Sequence, residues 1–217
     1  AIDTETSSLD PHQAELIGVS LSTQIGKACY IPIGHKSQDC LNKEAVLKKL
    51  KPLLEDKSIK KIGQNIKFDF IVLYKHGIKM SSMEDTMLMS YVLDAGKNRH
   101  NMDILSEIHL NHKTISFKEL VGSGKKEINF SEVELNKAME YAAEDADITY
   151  RLYKIFSKNL KLEKLTNIYE TFEKPLIKIL AFMEINGIKV DQKSLERLSK
   201  KFEIKIKNLE KEIFRFS

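Results

Sequence analysis

The sequence predicts an α/β domain followed by a helical C-terminal segment. Two segments near the start, residues 15–23 and 27–33, alternate apolar and polar residues with the period of two that is typical of β-strands. Most later apolar residues recur at intervals of three and four, which is typical of helices. After about residue 160 the pattern is helical throughout. These three observations indicate strands with flanking helices, and helices alone at the end of the chain.

The strands are predicted from apolar runs in the first 63 residues. Ala1 and Ile2 indicate that the chain opens at the end of a buried strand. This strand and the segments 15–23 and 27–33 are expected to form an antiparallel meander. A short apolar stretch at residues 60–63 predicts one further strand.

Helical spacing predicts five helices before residue 160. The apolar positions of the first are Leu47, Leu50, Leu53 and Leu54. We expect this helix to be interrupted or kinked near Pro52, which has no N–H to donate. The other four are predicted at residues 70–76, 85–93, 102–110 and 135–156. Ser131 and Glu134 have the spacing of a capping box and are expected to open the last of them.

Two further helices are predicted in the C-terminal segment. The first covers residues 163–186, bends at Pro175 and stops at Gly187. Asp191 is expected to cap the second, which is rich in lysine and runs to the end of the chain. Its apolar positions are Leu195, Leu198, Phe202, Ile206, Leu209 and Ile213. This stripe favours one buried face of a surface helix over a coiled coil, because the span is short.

Composition limits the class of protein without deciding its function. The chain has 217 residues, 42% of them apolar and 30% charged, with a net charge of +4. This charge suits a nucleic-acid partner, and it equally suits an ordinary solvated surface. No run of about 18 apolar residues predicts a membrane span, and no signal peptide is recognisable. Cys29 and Cys40 are expected to be reduced thiols. The start at Ala1, without methionine, indicates an excised piece of a longer protein.

Four carboxylates and one tyrosine form the pattern that carries chemistry. Asp3 and Glu5 share one face of the first strand, because side chains on a strand alternate. Tyr141 and Asp145 are four residues apart and share one face of a helix. Asp69 stands near the start of another predicted helix and can face the same cleft.

Clustered carboxylates suit a site for two divalent cations. Mg²⁺ and Mn²⁺ prefer oxygen ligands, and two such cations about 4 Å apart can stabilise the attacking and leaving oxygens of a phosphodiester. Without cations the carboxylates would repel one another and raise one another's pKa. The phenol of Tyr141 is a weak base at neutral pH, with a reference pKa of about 10, so we expect it to orient the attacking water.

Each of these residues also has an ordinary interpretation when it is taken alone. Asp3 and Glu5 are common capping or surface acids, and Asp69 fits the first turn of a helix. Tyr141 and Asp145 fit a solvated helix face beside a packed tyrosine. The functional prediction therefore depends on their order and on the sequence around them.

The sequence around these residues resembles the proofreading 3'-5' exonuclease domain of bacterial DNA polymerase I, within the DEDD superfamily and its tyrosine variant. The matching motifs are DTET (3–6), SLD (8–10), GQNIKFD (63–69) and YAAEDAD (141–147). Further similarity covers residues 99–103, 112–117, 173–176 and 186–191. The resemblance implies a ribonuclease H-like fold, a mixed sheet flanked by helices.

The resemblance also implies a role for each matching residue. Asp3, Glu5 and Asp145 would hold one metal, with Asp3 bridging to a second that Asp69 contacts through water. Glu5 and Tyr141 would orient the attacking water. The residues implied to bind the 3'-terminal nucleotides are Thr6, Leu9, Gln64, Asn65, Phe68, Arg99 and Phe117. Leu9 would wedge between the last two bases and Phe117 would stack beside them. Relatives often carry tyrosine where this chain has Phe68.

The function predicted is a two-metal 3'-5' exodeoxyribonuclease that releases deoxynucleoside monophosphates from single-stranded or frayed 3' ends of DNA. By the resemblance, residues 1–160 form the exonuclease domain and 161–217 the truncated start of a polymerase domain. No polymerase catalytic motif is present, and the helical stripe near the end is then exposed, frayed or paired with another copy. A monomer in the cytoplasm, associated with the nucleoid, is expected. The rivals are an RNase D-type exoribonuclease and a catalytically silent binding module.

Three further features of the sequence carry weaker predictions. Lys113, Lys118, Lys125 and Lys126 are predicted to form a basic approach path. The glycine-rich segment 121–127 lacks the spacing of a phosphate-binding loop, so we expect a mobile basic loop. His100, His109 and His112 fit no standard zinc site and are expected to be ordinary histidines.

Overall fold

The computed structural model describes residues 1–36, 39–124 and 127–215. The chain divides into two compact units, Ala1–Ile185 and Asn186–Ser217. The boundary predicted at residue 160, between an exonuclease domain and the start of a polymerase domain, stays a prediction. Among the described residues, no helix combines the length and the apolar character needed to cross a membrane.

The predicted meander is confirmed in the first unit. Strands β1 (Ile2–Thr6), β2 (Leu16–Gln24) and β3 (Lys27–Pro32) pair antiparallel in that order. Strand β4 (Lys61–Gly63) pairs parallel with β5 (Met83–Asp85). Strand β5 was not predicted, because three residues are too few to show a period. Since β1 also contacts β4, the strands form a mixed β layer.

The helices of the first unit surround these strands. They are α1 Lys43–Glu55, α2 Ile66–Lys75, α3 Thr86–Asp94, α4 Met102–Leu110, α5 Phe117–Val121, α6 Leu135–Leu162, α7 Thr166–Ile168 and α8 Lys174–Asn186. One core cluster lies between β1, β2 and α2, with Ile2, Val19 and Phe70 among its buried members. Another packs α3 and α4 against α6. The α/β prediction is therefore confirmed.

The interruption predicted for one helix and the capping box predicted for another are wrong, while the alternative of a kink near Pro52 stays a prediction. Helix α1 is not interrupted at Pro52 but continues to Glu55, because Pro52 lies in the last turn and only its own N–H is missing. The capping box is formed by Asn129 and Glu132, not by Ser131 and Glu134. Ser131 lies inside the short 3₁₀ turn that this box opens, and its N–H donates to Asn129 Oδ1.

The segment predicted as one helix from 163 to 186 is divided. A π-helical segment, Tyr169–Glu173, connects α7 to α8. It ends two residues before Pro175, whose missing N–H removes one bond of a regular α-helix. The segment ends before Gly187, which has a φ of +67° that suits glycine. The predicted stop at Gly187 is confirmed.

In the second unit, helix α9 (Gln192–Ile213) accounts for most of the described residues. Asp191 Oδ1 accepts a hydrogen bond from the N–H of Ser194, which confirms the predicted cap. No residue of α9 is buried, so the predicted buried face is wrong for the described residues. The physical reason is that residues 187–215 of this unit form no second helix or strand that could cover the apolar stripe.

Candidate active site

A cleft with a volume of about 650 Å³ opens beside β1. Strand β1 forms its floor, α2 and α6 supply two walls, and the segment before the 3₁₀ turn supplies a third. Its lining comprises Asp3, Thr4, Glu5, Thr6, Ser7, Ser8, Leu9, Gln64, Asn65, Phe68, Asp69, Phe117, Glu127, Ile128, Asn129, Phe130, Tyr141 and Asp145. All four carboxylates and the tyrosine singled out in the sequence therefore meet in one cleft.

Three of the carboxylates converge closely. Asp3 and Glu5 come from one face of β1, as the strand alternation predicted. Asp145 comes from the middle of α6, which packs on β1. One oxygen from each of the three lies within 4.8 Å of the others. These acids contribute only oxygen atoms, the ligand type that Mg²⁺ and Mn²⁺ prefer.

Asp69 stands beside this group and is held by β1. Helix α2 begins at Ile66, four residues before its predicted start, so Asp69 belongs to its first turn. Its Oδ1 accepts hydrogen bonds from the N–H of Thr4 at 2.9 Å and from the Thr4 hydroxyl at 2.6 Å. Asp69 is 2% exposed, so it is a first-turn acid that is buried against β1.

Without metal ions, burial and mutual repulsion disfavour the charged forms of the four carboxylates. Burial raises the pKa of Asp3 to about 6. Burial first, and repulsion from neighbouring acids second, raise the pKa values of Glu5, Asp69 and Asp145 well above their ordinary range. Among the described residues, Glu5 Oε1 is buried without a hydrogen-bond partner. A divalent cation would satisfy this oxygen and neutralise the repulsion, so the residues fit such an ion.

Tyr141 stands one helical turn before Asp145, so the two side chains share one face of α6. Burial, followed by the charges of nearby carboxylates, raises the pKa of Tyr141 far above its ordinary value. Its phenol therefore stays protonated at neutral pH. This protonation state suits a hydrogen-bond donor and excludes a general base.

An aromatic group extends the cleft beyond Tyr141. The Phe117 ring lies parallel to Phe130, with centroids 6.2 Å apart, and both rings contact Tyr141 at about 6 Å. Phe130 is buried, whereas Phe117 is 42% exposed and presents a ring to the cleft. Phe130 and Asn129 were missed in the sequence, because nothing in their spacing marks them.

Most of the residues expected to bind nucleotides line the cleft. Thr6, Leu9, Gln64, Asn65, Phe68 and Phe117 are all part of its lining. Leu9 is 92% exposed at the rim. Arg99 is exposed and lies outside the lining. Its neighbour His100 accepts a hydrogen bond from Gln64 Nε2 through its carbonyl oxygen, at 2.7 Å.

The weaker signals have structural explanations where the structure describes them. His100 pairs with Ser90, the His109 ring packs on Phe156, and His112 pairs with Glu144. The three histidines do not converge within the described ranges, and each has the ordinary partner named above. Cys29 and Cys40 are free thiols.

The predicted basic path is described only in part. Lys113 and Lys118 are exposed. Lys125 and Lys126, with that part of the predicted loop, lie outside the described residues. Both the path and the loop stay predictions.

Helices around a mixed β layer, with acids of β1, α2 and α6 clustered in one cleft, define the class of ribonuclease H-like exonucleases. A family model described as 3'-5' exonuclease matches residues 1–161. The chain belongs to this 3'-5' exonuclease family. The ribonuclease H-like fold class and the exonuclease prediction are thereby confirmed.

The most similar curated proteins include bacterial polymerases. DNA polymerase I of Rhizobium leguminosarum is 43% identical over 99% of this chain and 23% of its own length. DNA polymerase I of Pseudomonas aeruginosa is 39% identical over 99% of this chain and 24% of its own length. The chain thus spans about a quarter of the length of these relatives and corresponds to their exonuclease region.

Solved structures share the fold. NrnC of Brucella melitensis has a TM-score of 0.68 at 27% identity, over 86% of this chain and 84% of NrnC. A second NrnC structure contains bound Mg²⁺ and has a TM-score of 0.65 at 28% identity, over 87% of each chain. A third contains bound pGG and has a TM-score of 0.66 at 26% identity, over 88% of this chain and 87% of NrnC.

Proposed function

We propose that this chain hydrolyses DNA from the 3' end with divalent cations and releases deoxynucleoside monophosphates. The observation that carries the proposal is the convergence of Asp3, Glu5 and Asp145, with ligand oxygens within 4.8 Å of one another. Membership of the 3'-5' exonuclease family supports the direction of cleavage. Single-stranded or frayed ends are the expected substrates, because an unpaired terminus reaches a narrow cleft without the cost of melting a duplex.

Asp3, Glu5 and Asp145 would hold one cation, and Asp3 with Asp69 a second. When bound, the two cations stabilise negative charge on the attacking and leaving oxygens of the phosphodiester. The buried, unpaired Glu5 Oε1 supports this assignment from the protein side. The binding of Mg²⁺ by NrnC, which has the same fold, favours Mg²⁺ or Mn²⁺ as the ion.

Tyr141 and Glu5 would orient the attacking water. The phenol stays protonated and therefore donates a hydrogen bond, whereas the carboxylate of Glu5 accepts one. A water held between a donor and an acceptor has a fixed orientation, which lowers the entropic part of the barrier. In this assignment Tyr141 is an orienting residue and removes no proton.

The cleft walls would hold the last nucleotides of the strand. The exposed ring of Phe117 offers a face for a base, and the exposed Leu9 stands at the rim where it can separate two bases. Stacking accepts every base, as an exonuclease without sequence preference requires. Thr6, Gln64, Asn65, Phe68 and Arg99 are proposed to contact the sugar and phosphate groups of the same nucleotides.

An exoribonuclease of the RNase D type is the second candidate. The shared fold with NrnC, which binds pGG in one structure, favours it. The same carboxylates serve either sugar, since only the 2'-hydroxyl separates the substrates. A silent binding module is disfavoured, because four clustered acids repel phosphate and gain nothing unless cations are bound.

We further propose that residues 161–217 begin the polymerase domain of a longer protein, and that the rest of that polymerase is the intramolecular partner. The chain is proposed to act as a monomer in the cytoplasm, at the nucleoid. This chain spans only about a quarter of the length of its curated relatives, which supports the proposal of a longer protein. Size-exclusion chromatography with light scattering would test whether the chain is a monomer.

The experiment that tests the proposal compares matched DNA and RNA single strands with a 5' label. The protein is incubated with each strand in Mg²⁺, and initial rates are read from the shortening ladder. Faster shortening of DNA supports a deoxyribonuclease. Faster decay of RNA would reject it in favour of the exoribonuclease, and binding of both strands without cleavage would favour the silent module.

A further inference from the structure

A buried carboxylate behind the cleft has no role in the site described so far. Asp85 closes strand β5 and stands immediately before α3. It is 1% exposed and is not part of the cleft lining. A buried acid of this kind is costly unless hydrogen bonds or helix dipoles stabilise its charge.

Asp85 caps two helices at once. Its Oδ1 accepts hydrogen bonds from the N–H groups of Met87 at 2.8 Å and Leu88 at 3.3 Å, which open α3. Its carboxylate also accepts from Asn65 N–H at 3.2 Å and Ile66 N–H at 2.9 Å, which open α2. Both helix N-termini carry partial positive charge, so one anion stabilises both.

Helix α2 depends on this remote cap. The side chain of Asn65, its own N-cap residue, makes no capping hydrogen bond. Asn65 also has a φ of +59°, in the left-handed region that non-glycine residues seldom adopt. Outside support is therefore needed to hold the first turn of α2, and the hydrogen bonds from Asn65 and Ile66 to Asp85 supply it.

The supported turn carries part of the cleft. Gln64 and Asn65 line it, and Asp69 follows one turn later on α2. Thr86, next to Asp85, adds a second attachment, because its hydroxyl lies 3.0 Å from Gly63 O and 2.5 Å from Gln64 Oε1. A shift at the start of α2 would therefore move all three cleft residues.

Asp85 is itself fixed from behind. Its N–H donates to the Tyr169 hydroxyl at 2.9 Å, and that hydroxyl donates to Glu84 Oε2 at 3.1 Å. Glu84 Oε1 lies 2.7 Å from Nζ of Lys174. Tyr169 and Glu84 are buried, so the network anchors the backbone of β5 to the helical segment around Lys174.

We propose that Asp85 is a positioning residue for the exonuclease reaction, which holds the wall formed by Gln64 and Asn65, and through α2 the carboxylate of Asp69, in place against β1. The inference rests on the proposed function, because it concerns residues assigned there to substrate and metal. Asp85 acts through these residues and touches neither the substrate nor the metal.

The discriminating variant is Asp85→Ser. Serine is a favoured N-cap and can still serve α3, but its side chain is too short to reach α2. We expect kcat/KM on single-stranded DNA to fall about 10- to 100-fold, the range typical of residues that support a metal site. Amide hydrogen exchange at Asn65 and Ile66 should quicken, while exchange across α3 stays slow.

The matched control is Asn42→Ser. Asn42 caps α1 through a hydrogen bond from the N–H of Ala45 and lies outside the cleft. Serine keeps that cap, so kcat/KM should stay within about twofold of the wild type. Should Asp85→Ser fail to fold, Asp85→Asn takes its place. It keeps the shape of the side chain, but while its oxygen accepts from Asn65, Met87 and Leu88 its amide faces the N–H of Ile66, so a fall in kcat/KM and faster exchange at Ile66 are expected.

The two proposals fail in different ways. An active wild-type protein whose Asp85 variant keeps its kcat/KM and its slow exchange at Asn65 would overturn the positioning role alone. A wild-type protein that leaves DNA intact in Mg²⁺ and Mn²⁺ would overturn the proposed function, and the positioning role with it.

Discussion

Thr4 joins Asp69 to the first strand through two hydrogen bonds to one carboxylate oxygen. The backbone N–H of Thr4 lies 2.9 Å from Asp69 Oδ1 and its hydroxyl 2.6 Å. Since Thr4 stands between Asp3 and Glu5 in the chain, the contact fixes Asp69 relative to both. One residue of β1 thus holds the carboxylate of α2 in a fixed position relative to the two carboxylates of its own strand.

Thr4→Val removes the hydroxyl and keeps both the shape and the N–H. We expect the free energy of unfolding to fall by about 1–3 kcal/mol, the range for a buried polar group that loses its partner. Cleavage should slow as well, because Asp69 gains freedom. Denaturant titration and initial rates measure both effects. Thr4→Ser keeps the hydroxyl and should remain close to the wild type, and an unaffected Thr4→Val would contradict the role assigned to the contact.

The stability of the metal-free protein should fall as pH rises. Burial raises the pKa of Asp3 from 3.8 to about 6, and the pKa values of Glu5, Asp69 and Asp145 are raised well above their ordinary range. The folded state therefore binds protons that the unfolded state releases between about pH 4 and pH 6 and beyond. Stability contributed by the protonated acids is present below about pH 4 and is lost through this window.

Thermal unfolding in the presence of a chelator measures this effect. Tm should fall from about pH 4 to about pH 8, and Mg²⁺ should restore it at the upper end. Asp3→Asn should raise the Tm of the metal-free protein at neutral pH, because one buried charge is removed. Glu107→Gln, at an exposed position on α4, should leave Tm unchanged. A metal-free Tm that rises over this pH range would contradict the predicted loss of stability.

Tyr141→Phe tests the orienting hydroxyl. The ring keeps its contacts with Phe117 and Phe130, so the fold should be retained. We expect kcat to fall about 10- to 100-fold with little change in KM, as for a lost group that acts in the transition state. Because the phenol stays protonated, its ionisation does not shape the pH profile of kcat. The wild type and the variant should therefore have pH profiles of the same shape. Tyr150→Phe, on the same helix, is the control and should be as active as the wild type.

Phe117→Ala tests the stacking surface. Loss of one aromatic platform should weaken binding of the strand by about 1–3 kcal/mol, seen mainly as a higher KM. The matched control is Phe172→Ala, since Phe172 is also exposed but lies in the π-helical segment outside the cleft. Fluorescence anisotropy of labelled single strands in Ca²⁺ would measure the affinity without turnover. Equal affinity of the two variants would remove Phe117 from the binding surface.

The sequence predicts the site better than the fold around it. Asp3 with Glu5 and Tyr141 with Asp145 share faces because of simple strand and helix periods, so their convergence follows from local rules. The positions of Thr4 and Asp85 against α2 depend on contacts between elements far apart in the chain, which no local period records. Strand β5 and the division of the segment 163–186 were missed for the same reason: pairing and packing decide such short elements.

The most direct test of the metal-dependent site is the shortening of one labelled DNA strand by the wild type and by Asp145→Asn. A single-stranded oligomer labelled at its 5' end is incubated with each protein, in Mg²⁺ and in chelator, and circular dichroism establishes that both proteins fold. We expect a ladder that shortens from the 3' end only for the wild type and only with Mg²⁺. Equal ladders from both proteins, or shortening that persists in chelator, would contradict it.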